Sequence, residues 1–177
     1  ILIFGMPQSL LYYFPRKETH EHPLLIKQTW TILLFSSLMV MAIFWLSSQI
    51  IGTHHLKEYL VLLGIYTSLM IFVMPIQNLL TLEGKISTAM WLMVFFTIID
   101  LAVLPSAAWL NPTTLGIVHG IIVAALLKAI MVLFHVYTTY FTKEISGNSY
   151  IKEQLAYGIP VGLTAMVYVI NVNVDKY

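Results

Sequence analysis

The sequence has no cysteine, a single arginine, and charged residues at only 10% of its 177 positions. Without cysteine there is no disulfide, no thiol nucleophile and no thiolate metal site. Soluble domains carry about 25% charged residues; the low charge here, with 59% hydrophobic residues and a mean hydropathy of +0.84, excludes an ordinary water-soluble domain. A net charge of +1 leaves no electrostatic footprint for nucleic acid. The phosphate-cradling glycine loop, G-x-S-x-G and H-E-x-x-H are all missing. Nothing marks an enzyme, and no cofactor is implied. The chain opens on Ile1 with no basic stretch before its first apolar run, so neither an intact start nor a signal peptide is expected there. It is read as a segment of a longer protein.

Long apolar runs are present instead. A helix needs about 20 apolar residues to cross the ~30 Å hydrocarbon core, and residues 29–51, 60–82, 86–110 and 113–141 each meet that length. Residues 1–14 read as the last part of a further span, and a final apolar run starts near Ala156. The runs lack the two-residue alternation of membrane barrels, so the expected fold is all-α, a polytopic transmembrane bundle. Arg16, Lys17, Lys27, Lys85, Lys143 and Lys152 fall in the first, third and fifth loops, whereas Lys57 is alone in the alternate ones. Basic loops are retained in the cytoplasm, which places these loops inside, the Asn111-Pro112 turn outside, and the chain in the cytoplasmic membrane.

Ionisable groups within such spans are costly and usually face a partner or a cavity. Asp100 and Lys128 both lie about 20 Å from the cytoplasmic ends of adjacent antiparallel runs by helical rise, so they can pair. The pair reads either as the charged lining of a transport path or as a lock between two helices. His135 and Thr139 follow Lys128 on one helical face, suited to an anionic solute or a proton relay; a polar seam against a neighbouring helix is the alternative. His119 points elsewhere and reads as a packing or hydrogen-bonding residue. In the last run Thr164, Tyr168, Asn171 and Asp175 form one polar stripe, which puts Asp175 inside a span that the chain does not complete. Pro7, Pro75, Pro105 and Pro160 are expected to bend helices, and Gly116–Gly120 and Gly158–Gly162 to bring helices close. His20-Glu21-His22 and His54-His55 lack the spacing and further ligand of a metal site.

FGMPQSLLYYFPRK (residues 4–17) resembles the end of the second helix of polysaccharide flippases, and YGIPVGLTAMVYVINVNVDKY (residues 157–177) the opening of their seventh. The four spans between them would be helices three to six. The resemblance implies a two-lobed, MATE-like transporter fold: residues 1–141 in the first lobe, 142–153 as the cytoplasmic link, 154–177 opening the second lobe. It implies a carrier that turns a lipid-linked oligosaccharide to the outer leaflet by alternating access, with H+ or Na+ coupling. Lys128 would meet the pyrophosphate or an acidic sugar, Asp100 would neutralise it, and Arg16 would stand at the cytoplasmic mouth. Asp175 would face the cavity, at the end of the stripe that holds Tyr168 and Asn171. A drug or metabolite exporter, a lipid II flippase and a non-transporting membrane scaffold remain as alternatives.

Overall fold

A computed structural model describes residues 5–50, 54–142 and 149–174. Among them the chain forms α1 (Met6–Tyr13), α2 (His22–Ile50), α3 (His54–Val73), α4 (Pro75–Leu82), α5 (Ile86–Leu110), α6 (Thr114–Val136) and α7 (Ile151–Val174). A turn of 3-10 helix follows α1, and α6 runs on into π-helix over Tyr137–Phe141. Four stretches are long and apolar enough to cross a membrane: His22–Ile50, Leu56–Leu82, Ile86–Leu110 and Thr114–Phe141.

The helices begin earlier than the apolar runs do. The expected loop over residues 19–28 is helical from His22, because Pro23 suits a first turn and Leu24, Leu25 and Ile26 are buried. Residues 54–59, expected to be loop, open α3. Likewise α7 starts at Ile151, inside the expected link of residues 142–153, because Tyr150 and Gln154 are buried there and bond to α2.

The prolines act in two ways. Pro75 has no N–H to continue the ladder, so the run of residues 60–82 breaks at Met74 into α3 and α4. Pro7 lies in the first turn of α1, where no bond is lost. Helices α5 and α7 continue through Pro105 and Pro160. Gly84 ends α4 in the left-handed region (φ 74°), with Gly84 N–H on the Thr81 carbonyl and Lys85 N–H on that of Leu80. That Schellman turn lets the chain reverse into α5 within three residues.

Close packing follows the small residues. Helix α2 packs on α3, α3 on α6, and α6 on α5; α1 and α7 pack on each other and on α2. A Cβ on Gly120 would come within 2.5 Å of the Ala107 side chain, so α5 and α6 approach as the Gly116–Gly120 pair predicts. A Cβ on Gly5 would lie 2.4 Å from the Gly158 carbonyl oxygen and 3.1 Å from Gly162 N, which makes Gly158–Gly162 the α7 side of a backbone crossing with α1. Only 11% of the most apolar stretch of α5 is buried, leaving a greasy face that suits lipid rather than water.

Candidate functional site

Asp100 is in the middle of α5 and Lys128 in the middle of α6. The tight Asn111–Thr113 turn sets the register of this hairpin. Thr113 caps α6 by accepting the Gly116 N–H at 3.1 Å, and the glycines seat α6 directly against α5. With that register Lys128 Nζ lies 2.6 Å from both carboxylate oxygens of Asp100. Two short, charge-assisted bonds of this kind are strong where water is scarce.

The two partners are not equally dry. The Lys128 side chain is 12% exposed, with the Phe96 ring centroid 5.8 Å from its ammonium, whereas Asp100 is 41% exposed. Beside the pair is a cavity of about 270 Å³ bounded by Tyr66 and Met70 of α3, Asp100 and Leu104 of α5, and Ile121, Ala125 and Lys128 of α6. Both members of the pair line the cavity, the carboxylate the more exposed of the two.

His135 is not part of this cavity. It shares a face with Lys128 but stands two turns nearer the basic end, where its ring meets Tyr140 edge-on at 6.5 Å. Its Nε2 is buried without a hydrogen-bond partner among the described residues. His119 bonds the Leu115 carbonyl of its own helix at 2.8 Å, as a hydrogen-bonding residue would. Arg16 stands at the opposite end of the protein from the Asn111 turn. Its guanidinium lies 3.7 Å from the Tyr12 ring centroid, and Tyr12 stacks on Tyr157 of α7 at 4.4 Å. Tyr168 and Asn171 are exposed on α7, away from Lys128, and Asp175 lies outside the described residues. The structure thus brings Asp100 and Lys128 together and leaves His135, Arg16, Tyr168 and Asn171 apart from them.

Two features were not anticipated from the sequence. One is Tyr66, whose phenol shares the cavity; a tyrosine in an apolar run gives no sign of which way it faces. The other is a polar seam joining α7 to α2 at the basic end. Gln154 is fully buried there, its amide donating to the Leu25 carbonyl at 3.3 Å, with Thr29 Oγ1 3.2 Å from its Oε1. Gln28 Oε1 accepts the Tyr150 N–H at 2.8 Å, and the Tyr150 hydroxyl donates to Glu21. That bond holds the Glu21 carboxyl below its usual range and pushes the Tyr150 phenol up to about 12. Lys17 completes the seam, 3.8 Å from the Tyr150 ring centroid and 3.6 Å from Glu153.

No protein-family model, no curated protein and no solved structure matches the chain.

Proposed function

We propose that this chain belongs to a carrier that turns lipid-linked oligosaccharides across the cytoplasmic membrane, with α1–α6 in the first lobe of a two-lobed, MATE-like bundle and α7 opening the second. The observation that carries the proposal is the Asp100–Lys128 pair, held at mid-helix on an open cavity instead of sealed among apolar side chains. A pair that only locks helices needs no cavity beside it; here both charged groups line one.

The arrangement suits an exchange. A proton reaching Asp100 through the cavity removes the charge that occupies Lys128, and the ammonium is then free for an anionic group of the substrate. Release of the anion lets Asp100 lose its proton and take Lys128 back. Na+ at the carboxylate would serve in the same way. Arg16 with Tyr12 and Tyr157 offers a cation on an aromatic stack at the basic end, where an acidic glycan headgroup would enter.

The test is glycan export by the intact carrier bearing Asp100→Leu with Lys128→Met, a change that removes both charges together. Lost export by a variant that inserts and stays monodisperse supports the reading. The tightness of the pair favours a second reading, a structural lock in a membrane scaffold. Undiminished export by the double variant leaves the pair as a lock inside a carrier, and absence of export by the parent itself decides for the scaffold.

A further inference from the structure

A second cavity, of about 560 Å³, lies between α2 and α6 at the basic end. Trp30 and Leu34 form one wall, Ile130, Phe134 and Phe141 the other, and Phe72 of α3 its floor. Its lining has three polar side chains: the Thr31 hydroxyl, which already donates to the Lys27 carbonyl at 2.9 Å, the Tyr137 phenol, and the Trp30 indole, whose Nε1 is buried without a partner among the described residues. A slot lined otherwise by apolar side chains takes an apolar chain. From Ile130 to Phe141 it descends roughly 16 Å by helical rise, about half of the ~30 Å hydrocarbon core and so the depth of one leaflet.

The mouth of the slot is charged. Lys27 stands one turn before Thr31 on α2, its ammonium 5.1 Å from the centroid of the Phe141 ring. Among the described residues no carboxylate lies within 4.0 Å of it. A cation with no ion-pair partner among the described residues, at the rim of an apolar slot one leaflet deep, matches a lipid with a phosphate headgroup. We propose that the α2–α6 groove seats an anionic phospholipid of the leaflet at the basic end, its phosphate on Lys27 and one acyl chain between Leu34 and Phe134. The site is separate from the Asp100–Lys128 cavity and does not depend on what that cavity carries.

Trp30 in the groove wall reports occupancy. The protein with Trp45→Phe, Trp91→Phe and Trp109→Phe keeps Trp30 as its one tryptophan and is placed in nanodiscs containing brominated-chain phosphatidylglycerol or brominated-chain phosphatidylcholine. Quenching of Trp30 is expected at about a fivefold lower mole fraction of the anionic lipid, the preference one interfacial lysine confers. Lys27→Gln should equalise the two lipids, Lys27→Arg should keep the preference, and Lys57→Gln at the other end should not alter it. Equal quenching in the parent, or a preference surviving Lys27→Gln, overturns the proposal. Quenching by neither lipid also overturns it, because the groove is then filled by protein, a second copy or another segment of the same chain.

Discussion

Removing either member of the Asp100–Lys128 pair should destabilise the bundle, but not equally. Asp100→Leu strands an ammonium that is 12% exposed among apolar neighbours. Stranding a buried charge costs about 3–5 kcal/mol. Lys128→Met keeps the apolar stem and strands a carboxylate that is 41% exposed, facing the cavity. Water can reach it, so the cost falls to about 1–2 kcal/mol. The asymmetry is therefore about 2 kcal/mol, with Asp100→Leu the worse. The double variant should return to within about 1 kcal/mol of the parent, because replacing a paired set of charges by apolar groups of similar shape is close to neutral. Unfolding by sodium dodecyl sulfate from mild detergent, followed by tryptophan fluorescence, reads all four proteins. Equal single costs, a costlier Lys128→Met, or a double variant as poor as the sum of the singles would refute this account of the cavity.

Asp100→Asn, which keeps a polar group but cannot release a proton, should retain substrate binding in a filter assay while its dependence on pH disappears; a pH profile like the parent's counts against the exchange. Gly5→Ala forces a Cβ onto the Gly158 carbonyl in a left-handed backbone (φ 60°), costing about 1–2 kcal/mol from conformation alone; in the cysteine-free background, disulfide yield between Tyr12→Cys and Tyr157→Cys should drop several-fold. Gln154→Leu removes the bonds across the seam to Leu25 and Thr29, which keep the bond between the Thr29 hydroxyl and the Leu25 carbonyl at 2.8 Å, and should cost about 0.5–1.5 kcal/mol in the same unfolding assay. The Glu21–Tyr150 bond has its own pH window. Glu21 is lowered by that bond, so its contribution is present above the usual carboxylate range and is lost as pH falls through the lowered value; Tyr150 is raised to about 12, so its contribution is complete below the ordinary phenol range and is lost as pH rises through about 12. An ultraviolet titration comparing the parent with Tyr150→Phe should show a phenolate missing from the variant only near that upper value.

The spans were legible because hydrophobicity over twenty or more residues has one meaning in a helical chain. Asp100 and Lys128 were legible for a related reason: charges are rare at that depth, and antiparallel register follows from counting residues in from the cytoplasmic ends of the two runs. The Gly158–Gly162 spacing likewise announced a close helix contact, although Gly5 as its partner depends on a backbone crossing that spacing does not encode. Helix starts were less legible. His22–Gln28 and Ile151–Glu153 look like loop because Pro23 and charged residues interrupt their apolar positions, yet Leu24, Leu25 and Ile26 are buried, and Gln28 bonds across to Tyr150 at the start of α7. His135 misled through periodicity, since seven residues share a face but stand two turns apart. The groove under Lys27 belongs to three helices at once, and no single helix displays it.

The central claim is that Asp100 and Lys128 border a water-filled path and do not merely clamp α5 to α6. The absence of native cysteine makes this directly measurable. Tyr66→Cys places one thiol on the cavity wall opposite the pair, and Ile98→Cys places one on the exposed apolar face of α5 as a control. Each is exposed, in sealed vesicles, to a charged, membrane-impermeant methanethiosulfonate reagent that reacts only with thiols reached by water. The account predicts rapid modification at Tyr66→Cys and none at Ile98→Cys. Protection of Tyr66→Cys equal to that of the lipid-facing control would contradict it.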